Sequence, residues 1–149
     1  MPTNYQIKQA TISDRKGIVT LLQTEKLPVE DLPLTLDHFY IATDRMNAII
    51  GAIGLESHGR HGLLRSMVVA RNFRNHGIAA ELVGLLQTEA KIIGMDSVYL
   101  LTETASDYFS RKGFNKISRD EVPEEIKLSS EFSNVCPVSA VVMFKKLSP

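Results

Sequence analysis

In the stretch VVARNFRNHGIAAELV, residues 68–83, two valines precede Arg71, Arg74, His76 and Gly77, and an apolar-periodic segment follows. The valines read as the end of a strand and the glycine as the opening of a helix. The first four amides of a helix have no intrahelical acceptor, and the helix dipole places partial positive charge at the same end. Glycine there lets the backbone approach an anion closely, Ala79 is the next smallest residue, and Arg71 and Arg74 add side-chain hydrogen bonds. The chemistry this arrangement predicts is the binding of a phosphorylated ligand. Neither GxxxxGK[ST] nor GxGxxG is present, so the turn is not that of a P-loop or of a dinucleotide fingerprint.

The elements that must hold this turn follow from periodicity. Tyr5, Ile7 and Gln9 alternate with polar neighbours as a short first strand, and Thr11 or Ser13 caps a helix carrying Ile18, Leu21 and Leu22 at helical spacing. Pro28 stops it. Pro33 separates the LPVEDLP loop from a short second helix containing Leu34, Leu36 and Phe39. FYIATD and NAIIGAIGLE read as strands around a turn at residues 44–47, with Gly51 and Gly54 leaving a surface that a neighbour or ligand can approach. LLRSMVV is a central strand ending at Val69. Residues 77–92 form an apolar-striped helix stopped by Gly94, SVYLLT is the next strand, TASDYFSRK a short helix ending at Gly113, and FNKI a further strand. Residues 118–134 read as a partly helical excursion before VSAVVMF returns as the last strand. The pattern is that of a mixed α/β single domain over residues 1–149.

Composition bounds the function. A chain of 149 residues with 44% hydrophobic content can bury about two thirds of its unfolded surface as one domain. Lys plus Arg is 17 and Asp plus Glu is 17, which removes the electrostatic argument for nucleic acid or an anionic membrane as the main partner. The single Cys136 excludes an intrachain disulfide. His58, His61 and His76 lie in polar turns without the spacing of a zinc site, so no metal is expected. MPTNYQIKQATISD lacks the pattern of a signal peptide and no segment has the length of an apolar membrane span, which makes the cytoplasm the expected location.

Arg74-x-x-Gly77-x-Ala79 resembles the acetyl-coenzyme A signature of the GCN5-related N-acetyltransferase (GNAT) superfamily, and the element order is similar over nearly the whole chain through LLTETASDYF and Arg111-Lys112-Gly113-Phe114. The resemblance implies a mixed central sheet with a splayed pair of central strands and flanking helices. It further implies that the backbone of Met67, Val68 and Val69 runs beside the pantetheine arm. Arg74, Asn75, His76, Gly77, Ile78 and Ala79 would cradle the pyrophosphate, and Phe109 and Arg111 would belong to the cofactor side. LLRSMVV, YLLTETASDYFSRKGF, RDEVPEEIK and EFSNVCPVSAVVM are similar to bacterial arsenic-resistance-associated N-acetyltransferases and to the acetyltransferase half of N-acetylglutamate synthases. That similarity implies a small amino-acid-like amine as acceptor and direct transfer in a ternary complex. Homodimers are common among such relatives, and VSAVVMF offers an interface or an ordinary sheet strand. A catalytically weak acyl-coenzyme A-binding or regulatory domain is the alternative.

An amine attacks a thioester only when neutral, so such a site needs a proton acceptor and stabilisation of the developing oxyanion. The resemblance assigns the second task to a strand amide, here that of Val68. Glu56 and Glu103 each follow a strand near the sheet centre and are the carboxylate candidates, with Glu103 preferred; each reads equally as a solvated or capping carboxylate. Many relatives place a tyrosine four residues before the glycine of the GF pair, where this chain has Phe109. Tyr108 is adjacent, but one helical step rotates it by about 100°, so it does not simply inherit the role and reads as a packing residue. Arg65 sits inside a strand in which Leu63, Arg65 and Met67 share one face under regular alternation. It is either a clamp for a substrate carboxylate or one half of an internal salt bridge. Thr102 and Thr104 contact substrate or cap the following helix, and Cys136 shapes the acceptor pocket or packs rather than acting as a nucleophile.

Overall fold

The two most strongly patterned strands, Ile49–His58 (β3) and His61–Val69 (β4), are also the longest in a computed structural model of the chain. The structure describes residues 5–27, 29, 32–33, 35–103, 105–129, 132 and 140–147. The remaining strands are Gln6–Gln9 (β1), Phe39–Thr43 (β2), Ser97–Thr102 (β5), Asn115–Ile117 (β6) and Val141–Lys146 (β7). Arg15–Thr24 (α1), Ile78–Ile92 (α2), Ser106–Arg111 (α3) and Glu124–Lys127 (α4) are helical. Hydrogen-bonded strand neighbours follow the order β1-β2-β3-β4-β5-β7-β6, and β4 runs parallel to β5 while β1-β2, β2-β3, β5-β7 and β6-β7 are antiparallel. This is a mixed sheet, as the family resemblance implies.

Two compact units divide the chain, one of Met1–Leu55 with Ser66–Glu89 and the other of Glu56–Arg65 with Ala90–Pro149. In the first, Ile18, Leu21 and Leu22 recur on one face of α1 and pack with Leu32, Leu36, Phe39, Ile41, Ala52 and Val68 in a shared core. Glycines let elements close on each other here. A Cβ on Gly54 would lie 2.4 Å from the Phe39 ring, and one on Gly51 would lie 3.3 Å from Ile78 of α2. The surface left bare by these two glycines is therefore occupied by the chain's own side chains.

The expected helix containing Leu34, Leu36 and Phe39 is not found among the described residues of that segment. Leu32 and Leu36 are buried without helical structure, Phe39 begins β2, and Leu34 lies outside the described residues. The physical reason is competition for carbonyls. Arg15 donates to the carbonyl oxygens of Pro33 and, at 3.1 Å, of Leu32, and Pro33 has no N–H to offer a helix.

In the second unit, Leu63, Tyr99, Val122, Ile126 and Val142 form the core. The parallel ladder between β4 and β5 comprises His61↔Ser97, Gly62↔Val98 and Leu63↔Tyr99, although β5 continues to Thr102 and β4 through Arg65. Ser66, inside β4, takes φ 56, a left-handed conformation that breaks regular alternation while the strand runs on to Val69. Regular alternation therefore ends at Arg65, which is buried while Met67 is only partly so. The last strand begins at Val141 and is paired on both edges, with β5 and with β6, so Val141–Lys146 is an inner strand, and Val138 and Ser139 of the expected VSAVVMF strand lie outside the described residues. The excursion at residues 118–134 holds a 3₁₀ turn at Arg119–Glu121 and α4.

The Phe39 ring has no room to yield at 2% exposure. Gly54→Ala is expected to lower unfolding free energy by about 1–3 kcal/mol, the usual cost of overpacking, read from the midpoint of a urea transition.

Candidate active site

Within the first unit, β4 ends at Val69 and the chain turns through Arg71–Phe73 before α2 begins at Ile78. Arg74 is extended, while Asn75 and Gly77 take φ of 66 and 83. Asparagine tolerates that region; at Gly77 any larger residue would be strained. A Cβ at Gly77 would meet nothing within 4 Å, so the dihedral demands the glycine and the space beside it is open. The first helical bond of α2 is Glu81 N–H to the Gly77 carbonyl, 3.1 Å. The amides of Ile78, Ala79 and Ala80 thus lie at the turn that has no helical acceptors. The turn thus presents backbone donors beside open space at Gly77.

The arginines of the turn are held from behind. Arg74 donates through Nε to the Val69 carbonyl at 3.2 Å and through Nη2 to Glu25 Oε1 at 2.8 Å, and Arg71 Nε lies 3.4 Å from the same oxygen. Glu25 follows α1 and its side chain is 8% exposed, against 78% for Arg71 and 51% for Arg74. Val68 is buried in the core of this unit, Val69 is buried beside it, and Met67 is half-buried. His76 is exposed.

Within the second unit, the Glu56 carboxylate is shared. Its Oε2 pairs with Arg65 Nη1, and its Oε1 lies 2.8 Å from His58 Nε2. Arg65 is 1% exposed in its side chain. Of the two alternatives for this residue, the geometry realises the internal salt bridge. Glu103 is exposed just beyond β5, and Thr102 Oγ1 accepts the Ala105 N–H at 3.0 Å, the turn leading into α3. Thr104 and Cys136 lie outside the described residues. Phe109 is buried, edge-on to Phe114 at 5.4 Å and to Tyr108 at 5.3 Å between ring centroids. Arg111 is exposed.

Tyr108 packs its ring edge-on against Phe109, and its hydroxyl is the notable feature. Its hydroxyl is buried and, among the described residues, has no hydrogen-bond partner. Burial pushes the phenol above its ordinary value, with Arg111 opposing more weakly, so the group stays protonated and able to donate across the neutral range. Sequence reasoning also missed Glu25, because nothing in TEK marks a glutamate that will meet arginines 46 and 49 residues further on. No group of three or more His, Cys, Asp or Glu suited to a metal occurs among the described residues. Nor is any helix among them long and apolar enough to cross a membrane.

Residues 35–116 match the family described as the Acetyltransferase (GNAT) domain. The chain belongs to this family. It is 28% identical over 137 residues to an amino-acid acetyltransferase of Escherichia fergusonii, covering 86% of this chain and 31% of that protein. N-acetylglutamate synthase from Neisseria gonorrhoeae, complexed with coenzyme A and N-acetyl-glutamate, superposes with a TM-score of 0.82 at 19% identity, over 100% of this chain and 36% of that one. A GNAT-family acetyltransferase of Staphylococcus aureus gives 0.80 at 20% identity, over 97% and 100% of the two chains. The chain thus spans about a third of the length of the curated relatives it matches.

The Glu56–Arg65 pair carries a stability consequence. Removing one partner of a buried pair costs about 3–5 kcal/mol, and the partial exposure of Glu56 reduces this to roughly 2–3 kcal/mol for Glu56→Ala. Glu56→Gln, which keeps an acceptor for Arg65, is expected to cost less; paired urea denaturation curves test the order.

Proposed function

We propose that this GNAT chain is an acetyl-coenzyme A-dependent N-acetyltransferase acting on the amino group of a small amino acid or amino-acid-like molecule, by direct attack in a ternary complex. The observation that carries the reading is the cradle at the start of α2, with its open space at Gly77 and the amides of Ile78, Ala79 and Ala80 without helical acceptors. Similarity to amino-acid acetyltransferases and to a synthase holding coenzyme A and N-acetyl-glutamate supports the cofactor and the acceptor class. The proposal takes residues 1–149 as one catalytic domain working in the cytoplasm. The sequence resemblance to arsenic-resistance-associated N-acetyltransferases is the reason to include arsenic-containing and phosphorus-containing amino-acid analogues among the acceptors tested. A homodimer would use a surface other than the edges of β7, which are both paired.

Acetyl-coenzyme A would supply the acetyl group as a thioester. Arg74, Asn75, His76, Gly77, Ile78 and Ala79 would hold its diphosphate, the backbone of Met67 to Val69 its pantetheine arm, and Phe109 and Arg111 would complete the cofactor side. The Val68 N–H would stabilise the developing oxyanion. As the amine nitrogen bonds to the carbonyl carbon and the carbon–sulfur bond breaks, Glu103 would accept the amine proton, directly or through water. Glu56 is the weaker candidate because His58 and Arg65 engage both of its oxygens. The Tyr108 hydroxyl would donate to the departing sulfur. Thr102 and Cys136 are assigned to the acceptor side, and Arg65 serves it by fixing Glu56.

Phe109, standing where many relatives carry tyrosine, favours a second reading: a domain that binds acyl-coenzyme A with little turnover. A thiol-release assay with saturating acetyl-coenzyme A and a panel of amino acids, including glutamate and arsenic-containing analogues, separates the two. Turnover with a panel member is expected; tight coenzyme binding without turnover supports the second reading. Tyr108→Phe sharpens the test, because it should lower kcat by about 10²-fold, the low end of general-acid contributions. The same change removes an unsatisfied buried hydroxyl worth about 1–3 kcal/mol, so stability of the free protein should hold or rise while activity falls.

A further inference from the structure

We infer that Glu25 is a positioning residue for coenzyme binding: its enclosed carboxylate holds Arg71 and Arg74 in the orientation that receives the diphosphate. The inference rests on the coenzyme reading above and adds to it a residue from outside the turn.

A carboxylate that is 8% exposed needs partners to repay its lost hydration. Glu25 finds them in two arginines that are themselves mostly in solvent. The backbone N–H of Glu25 donates to the Leu21 carbonyl at 3.2 Å, so the end of α1 anchors the residue. Arg74 is then fixed at two points, Nε on the Val69 carbonyl and Nη2 on Glu25, which leaves its other N–H groups unspent among the described residues. A rigid donor fork pinned along one edge presents its remaining edge in a defined direction. Arg71 is tethered more loosely to the same oxygen, at 3.4 Å.

Glu25 has two opposed effects on an arriving phosphate. Its negative charge repels the anion, and its hydrogen bonds hold in place two long side chains that would otherwise lose freedom on binding. Two arginines against one carboxylate leave the cluster net positive, so attraction survives the pairing. The ordering cost of the side chains is met in folding instead of at the moment of binding. Positioning outweighs repulsion because the carboxylate is covered while both guanidinium groups reach solvent.

Titration calorimetry with coenzyme A as the probe tests this on wild type, Glu25→Ala, Glu25→Gln, Arg71→Ala/Arg74→Ala and the triple variant. Glu25→Ala should weaken binding by about three- to tenfold, the ordering cost of one long side chain. Glu25→Gln, which keeps an acceptor oxygen, should recover part of that loss. In the background lacking both arginines, removing Glu25 should change the affinity no further, whereas a loss of general structure would weaken binding equally there. Unchanged or tighter binding by Glu25→Ala would overturn the inference alone, as would a full Glu25 effect in the absence of the arginines. A folded wild-type protein that takes up no coenzyme A would overturn the coenzyme reading and this inference together.

Discussion

The start of α2 leaves three backbone amides without helical acceptors, and the functional argument depends on where the chain puts them. They follow directly from a strand end because Asn75 and Gly77 both adopt left-handed dihedrals, which reverse the chain within a few residues. A β-branched residue at position 77 would pull the turn toward ordinary dihedrals and redirect those donors. Helix α2 is fixed in turn by Ile78 and Leu82, whose side chains close over Gly51 of β3. The placement of these donors is therefore a product of core packing as much as of the turn.

Two carboxylates organise charge in the molecule, with opposite patterns of burial. Around Glu56 the cation is the enclosed partner: Arg65 is 1% exposed and the carboxylate 19%. Such an arginine has little access to a ligand, and its ion pair is maintained because loss of either member would strand a charge. Around Glu25 the carboxylate is enclosed and the arginines reach solvent. There the hidden member is the carboxylate, and in the proposed role it would orient arginines that reach solvent. Equal counts of acidic and basic residues thus conceal two differently directed sites.

Features set by local interactions were legible in the sequence, and those set by distant ones were not. The turn at residues 74–79 and the helix after it follow from glycine placement and apolar spacing, which act within a few residues. Strand positions followed from alternation, until Ser66 broke the pattern beyond Arg65. The helix expected around Leu36 failed because Arg15, from α1, takes the carbonyls of Leu32 and Pro33. Nothing near Pro33 in the chain announces that competition. Arg65 was visibly anomalous inside an apolar strand, yet its partner Glu56 lies on the facing strand of a hairpin, and sequence alone left clamp and salt bridge open. Glu25 was invisible for the same reason, at longer range.

The aromatic pair before the GF segment is where the proposed general acid departs from the pattern of the relatives this chain resembles. Phe109 occupies the family tyrosine position and is 3% exposed, packed edge-on to Phe114, where it leaves no polar atom to satisfy. The hydroxyl of the adjacent Tyr108 is covered and, among the described residues, has no hydrogen-bond partner. In a structural role that arrangement is unfavourable, since a buried donor without an acceptor costs about 1–3 kcal/mol. Phenylalanine at 108 would keep the contact with Phe109 and avoid the cost. A hydroxyl whose acceptor arrives only with the reacting molecules is different: unspent in the free protein, it can strengthen as charge develops, and interactions of that kind accelerate a reaction instead of merely binding its substrate.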